Sequence, residues 1–182
     1  VDIRQKIGTR VRQPEAWNVF DSDILRWHSE VGRGDEIMRN LVEVRQIMEP
    51  AAARLAAGRA TMDDLRRMDD ALADMVANST NREGYAHADV EFHLAVYAAS
   101  HNVLLRQFGS VVADFMYASF NVQQATAADD EVFLEDAETH AAVFHAINGG
   151  NGERAADAML RVVLDGKNAL IKALSEQRDG AS

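Results

Sequence analysis

Tyr85-Ala-His-Ala-Asp89-Val-Glu-Phe-His93-Leu-Ala-Val-Tyr97 is the stretch that decides the fold. Read as a helix, it puts Asp89 and His93 one turn apart on one face. Val96 and Tyr97 continue that face with apolar side chains. A carboxylate and an imidazole aimed into a helical core are costly unless something satisfies them. A bound metal, a ligand or a tight mutual hydrogen bond would do so.

The rest of the chain reads the same way. It is rich in Ala, Leu, Met, Arg, Glu and Asp, and it lacks long alternating β-branched runs. Asp35 is expected to cap a long helix with Ile37, Leu41, Val44, Met48, Ala52 and Leu55 on one stripe. Pro50 lies inside that stripe, where it is expected to remove one backbone hydrogen bond and kink the helix. Thr61 followed by Asp64 resembles a capping box and starts a helix through Leu65, Met68, Leu72 and Met75. Further helices are expected over about 83–99, from Asn102 through Phe120, over 131–148, and from Gly152 to Ser175. Ala125 to Asp130 reads as a loop. The expectation is therefore all-α: an antiparallel bundle of six or seven helices. Ahead of it stands a short extended segment, Ile7-Gly-Thr-Arg-Val-Arg, and a short helix through Ile24, Leu25 and Trp27.

Length and composition suit one domain with a small appendage: 182 residues, 47% hydrophobic. The absence of cysteine excludes a disulfide scaffold, a thiolate metal site and a cysteine nucleophile. No signal peptide is visible and no apolar run approaches the length of a bilayer span, so a cytoplasmic protein without membrane contact is expected. The net charge of −10 argues against a free-standing nucleic-acid binder. Residues 1–13 are the exception, with Arg4, Lys6, Arg10 and Arg12 against Asp2. This basic end on an acidic body reads as part of something else.

His140 shares a helix face with Val143, Phe144 and Ile147, so it too points at apolar surroundings. Convergence of Asp89, His93 and His140 would offer one carboxylate oxygen and two imidazoles, a set suited to zinc, nickel, iron or manganese. The competing reading of Asp89 and His93 is an ordinary i, i+4 ion pair. His28, His87, His101 and His145 read as surface or loop positions. Enzyme signatures are missing. There is no glycine-rich phosphate loop, no serine nucleophile elbow and no His-Glu-x-x-His helix.

Several motifs in series resemble one family. Leu41-Val-Glu-Val-Arg-Gln-Ile-Met-Glu-Pro-Ala-Ala-Ala-Arg-Leu-Ala-Ala is similar to the opening helix of the FCD ligand-binding domain, found in the FadR branch of the GntR transcriptional regulators. Asp89-x-x-Phe92-His93, Ser100-His-Asn102, His140 with Ala146-Ile147-Asn-Gly-Gly-Asn, and Ala155 to Met159 resemble its later motifs in order. Ile7 to Arg12 resembles the end of a winged helix-turn-helix wing. Trp17-Asn-Val-Phe-Asp21, Ile24-Leu25 and Trp27 resemble the linker of members that respond to sugar acids. The resemblance implies a wing remnant over 1–13, a linker with a short helix over 14–34, an effector-binding and dimerising domain over 35–176 and a tail over 177–182. The recognition helices that contact operator DNA would belong to a domain missing from this chain.

In that family an Asp and three His hold a divalent metal at the floor of the effector pocket. Asp89, His93 and His140 match three of these positions; Val162 stands at the fourth and cannot ligate. Three arrangements are open: a metal on three protein ligands, with water or effector completing it; Asp136, one turn before His140, as a substitute ligand; or direct contact of an effector with the polar residues. Arg45 matches a pocket arginine that could take a carboxylate, against an ion pair with Glu49. Asn102 matches a pocket asparagine, against the helix cap already assigned to it.

The function expected from the resemblance is effector sensing in a homodimeric regulator that acts as a repressor, with a small carboxylate such as a sugar acid as effector. Two rivals are a metal-dependent helical-bundle enzyme acting on a small acid, with Glu91 and Glu138 near the site in sequence, and a dimerisation domain without ligand.

Overall fold

The computed structural model describes residues 2–4, 8–13, 16–18, 21, 34–123 and 130–179. The helix expected around Trp27 lies outside these residues, as does most of the loop expected from Ala125. Two compact units divide the chain, Val1–Arg39 and Asn40–Ser182.

In the first unit, β1 (Asp2–Arg4) and β2 (Gly8–Arg10) pair antiparallel, with Ile3 opposite Thr9. The extended segment read at Ile7–Arg12 is thus one arm of a hairpin whose other arm was not foreseen. Six helices follow among the described residues: α1 (Gly34–Ala57), α2 (Met62–Ala77), α3 (Arg82–Ala99), α4 (Val103–Gln123), α5 (Asp130–Asn148) and α6 (Gly152–Asp179). The last continues past Ser175 into the expected tail. No helix among the described residues is long and apolar enough to cross a membrane.

Local chemistry sets the helix ends. The Thr61 side chain accepts from the Asp64 amide, and Asp64 Oδ2 accepts from the Thr61 amide at 2.9 Å, completing the capping box. Asn102 Oδ1 accepts from the amides of Leu104 and Leu105 and caps α4. At the end of α5, the amide of Gly150 bonds to Ile147 O and that of Asn151 to Ala146 O. These are the two bonds of a Schellman turn, and Gly150 supplies the left-handed residue it requires, at φ +69°.

Packing follows from periodicity. On α2, Met68, Leu72 and Met75 are buried and the outer face carries charges such as Asp63, Arg66 and Asp70. α3 is buried over most of its circumference, as befits a central helix. It packs against α2 and α4; α5 packs against α6 and α2. Gly109 lets α4 approach closely, because a Cβ there would stand 3.2 Å from the Tyr97 side chain.

The stripe on α1 differs from expectation. Leu41, Arg45, Glu49, Ala52, Ala53 and Ala56 are buried, whereas Val44 and Ile47 are exposed. The helix is rotated so that two charged residues face inward, which apolar patterning alone does not anticipate. Asp35 lies within the first turn rather than capping it, and Pro50 sits inside a continuous helix.

Asp64 also receives the ring of His101 at 2.8 Å. Burial raises its carboxyl pKa, but the bonds from Thr61 and His101 outweigh this and hold it below the usual value. A depressed folded pKa means a stabilising contribution that is complete above the unfolded value of about 3.9 and is lost as pH falls through the folded one. Asp64→Ala should therefore cost about 0.5–2 kcal/mol near neutrality. Urea unfolding across pH should show that deficit shrinking in acid; a deficit independent of pH would contradict the assignment.

Candidate metal and effector site

Asp89, His93 and His140 meet between α3 and α5, and all three are buried. His140 Nε2 lies 2.9 Å from Asp89 Oδ1, and His93 Nε2 lies 3.4 Å from the same oxygen. The two Nε2 atoms are 3.4 Å apart. Helical periodicity brings the first two together on α3, and His140 projects from the apolar face of α5 as the sequence indicated.

The opposite edges of both rings are occupied. His140 Nδ1 lies 2.8 Å from the Asp136 carbonyl, an acceptor, so Nδ1 carries the proton and the neutral ring turns a lone pair toward Asp89. His93 Nδ1 lies 2.6 Å from Glu49 Oε2, a close charge contact that sits off the line of a ring N–H bond. Asp89 Oδ1 is buried without a hydrogen bond of good geometry. Asp89 Oδ1 and the two Nε2 atoms therefore converge, and the arrangement calls for positive charge between them, a proton or a metal ion. The pKa values agree. Burial disfavours a charged His140, yet Asp136 and Asp89 raise its pKa to about 9. Burial likewise opposes ionisation of Asp89, but the adjacent His140 and His93 hold its carboxyl well below the usual range. A divalent metal fits this donor set by chemistry and by the orphaned oxygen, and it would displace the proton that otherwise fills the role.

The cluster forms the floor of a cavity of about 380 Å³. That lies within the range of roughly 300–1,000 Å³ usual for small-molecule sites. Tyr85 and Arg82 line the wall successively closer to the start of α3, and Asp136 and Phe133 do so toward the start of α5. Ser119 and Thr139 add hydroxyl groups.

Each residue singled out in the sequence has a definite place. Arg45 lines the cavity and is buried, and it also bonds Glu49, with its Nε 2.5 Å from Oε1. The ion pair read from the sequence is present, and Arg45 faces the cavity as well. Burial lowers the Arg45 pKa, Glu49 more than offsets this, and the guanidinium stays charged. Val162 is buried and lines the cavity, so the fourth position is a hydrocarbon wall. Asp136, the substitute fourth ligand weighed from the sequence, lines the cavity with its carboxylate bonded to Tyr85. It accepts from Tyr85 OH at 2.7 Å and otherwise lies 3.7 Å from His140 Nδ1, the edge turned away from the other donors. Asn102 is not among the lining residues, and its side chain is spent on the cap of α4. His87, His101 and His145 are exposed.

Glu49 and Tyr85 escaped the sequence reading as site residues. Glu49 was visible as the i+4 partner of Arg45; what hid it was the choice of stripe, since spacing 41, 45, 49, 52, 56 is as helical as the one expected. Tyr85, one turn before Asp89, was hidden because a buried tyrosine usually signals packing.

Comparison with known proteins identifies the family. The family model described as the FCD domain matches residues 40–165. The galactonate operon transcriptional repressor of Escherichia coli (strain K12) is 32% identical over 163 residues, which cover 90% of this chain and 70% of that protein. The HTH-type transcriptional regulator LutR of Bacillus subtilis (strain 168) is 32% identical over 127 residues, covering 69% of this chain and 58% of its own. A solved structure, Streptococcus agalactiae GntR, superposes with a TM-score of 0.65 at 23% identity, over 90% of this chain and 71% of that one.

Removing Asp89 leaves two buried imidazoles without their counter-charge, so Asp89→Ala should destabilise the metal-free protein by about 3–5 kcal/mol. Asp136→Ala, at a side chain that is 30% exposed, leaves mainly Tyr85 OH unpaired. It should cost less, about 1–3 kcal/mol. Urea unfolding of both variants checks the order; equal losses would contradict it.

Proposed function

The chain belongs to the FCD domain family and is the effector-sensing domain of a GntR-type transcriptional regulator, and on that premise we propose that its cavity binds a small hydroxy-carboxylate together with a divalent metal. The observation that carries this reading is the orphaned Asp89 Oδ1 facing the Nε2 atoms of His93 and His140 in the cavity, which the buried Arg45 also lines. Asp89, His93 and His140 would hold zinc, nickel, iron or manganese, which supplies positive charge for a ligand carboxylate and its adjacent hydroxyl. Arg45 contributes a second cation for the same carboxylate.

With Val162 in place of a fourth donor, the metal keeps more positions open and its affinity leans on the chelating effector. A sugar acid of the galactonate kind is the first effector to test, in keeping with the name of one relative. The regulator would act in the cytoplasm as a homodimer. The hairpin of residues 2–10 would be part of the winged DNA-binding portion, and effector binding would change operator affinity by favouring one of two global states. The enzyme alternative falls away, since the relatives are transcriptional regulators.

Calorimetry with Zn²⁺ or Ni²⁺, with and without galactonate, tests this reading. Metal affinity should rise about tenfold or more when the hydroxy acid is present, a gain of about 1.4 kcal/mol per decade. Val162→His should tighten binding of metal alone and shrink that difference. Equal metal affinity in both conditions would overturn the proposal.

A further inference from the structure

Glu49 is among the most deeply buried polar side chains of the protein, 1% exposed. It occupies a face of α1 that otherwise carries Leu41, Ala52, Ala53 and Ala56. A buried carboxylate is expensive, and an ion pair with Arg45 alone would not require it to touch anything else. Yet its two oxygens face two different groups. Oε1 meets Arg45 Nε at 2.5 Å, and Oε2 lies 2.6 Å from His93 Nδ1 and 3.5 Å from Arg45 Nη2. Burial pushes the Glu49 carboxyl up, but Arg45 and His93 bring it down to about 2, so it is ionised.

The two contacts have directional consequences. Glu49 stands at the Nδ1 edge of His93, opposite the Nε2 edge that faces Asp89 and His140. On His140 the Nδ1 edge meets a backbone carbonyl of its own helix; on His93 it meets a charged side chain of another helix. On Arg45, Glu49 takes Nε and Nη2, while Phe115 packs against the guanidinium at 5.7 Å. The same side chain lines the cavity.

We propose that Glu49 is a positioning residue shared by metal and effector: it fixes His93 with Nε2 toward the metal and holds the Arg45 guanidinium at the cavity wall. One side chain thereby sets the spacing between the cation site and the anion-binding arginine. The proposal rests on reading the cavity as a metal and carboxylate site. Carboxylates behind a ligating imidazole tune both its orientation and its basicity, and their loss typically costs about 10–100-fold in metal affinity.

The test uses the full chain and Co²⁺ alone, with absorbance titration for affinity and proton NMR for the ring N–H groups. Wild-type protein should show two paramagnetically shifted, slowly exchanging N–H signals, from Nδ1 of His93 and of His140. Glu49→Gln should lower Co²⁺ affinity about 10–100-fold and lose the His93 signal to solvent exchange while keeping that of His140. Asp64→Asn, a buried carboxylate in the capping box of α2, serves as a control for general destabilisation and should leave both readouts unchanged. Undiminished affinity in Glu49→Gln with both signals intact would reduce Glu49 to a partner of Arg45, and an equal loss in Asp64→Asn would assign the effect to stability. The wild-type spectrum tests the proposal even without a folded variant: Co²⁺ binding with a protected N–H on His140 alone overturns the role of Glu49. No Co²⁺ binding at all would overturn the metal reading itself, and this proposal with it.

Discussion

Asp89 Oδ1 lies within hydrogen-bonding range of His140 Nε2 in the interior of a helical bundle, with no hydrogen bond of good geometry to satisfy it. Much of the surrounding structure is arranged to keep that concentration of charge tolerable. Asp136 and Tyr85 support His140 from behind; Glu49 and Arg45 do so for His93. Each supporting group is itself paired, because a half-satisfied polar network in a low-dielectric interior is worse than an apolar core. The cost of assembling such a network in a bundle that could have been filled with leucine makes sense where charge has to be presented to a ligand.

The same constraint explains the rotation of α1. Its most apolar face would bury Val44, yet the helix turns that residue outward and brings Arg45 and Glu49 in. The alanines at 52, 53 and 56 complete the buried face further along, where side chains of no length let the helix lie close to its neighbours. A Cβ at position 152 would stand 3.1 Å from both Cγ and O of Arg54, so Gly152 lets the start of α6 lie tight against the end of α1.

Much of this was legible in the sequence. The capping box at Thr61 and Asp64, the Gly149-Gly150 stop and the three converging donors all follow from local chemistry or from 3.6-residue periodicity, and the structure has each of them. The illegible parts share one cause. Whether Arg45 and Glu49 face inward, whether Asp136 turns to Tyr85 or to the metal position, and whether Asn102 caps or reaches a pocket depend on what a neighbouring helix offers. Each of these side chains had two plausible partners, and sequence spacing reveals only the one on its own helix. Asn102 and Asp136 both took the partner that left the cavity floor to others.

α1 is continuous from Gly34 to Ala57, and the division between the two units of the chain falls inside it, after Arg39. The helix that carries Arg45 and Glu49 is therefore also the covalent link to the N-terminal unit. Arg45 stands six residues beyond that division, under two helical turns, and the backbone is helical throughout. Arg45 and Glu49 are therefore carried on one uninterrupted rod, so neither can shift along the helix axis without the other.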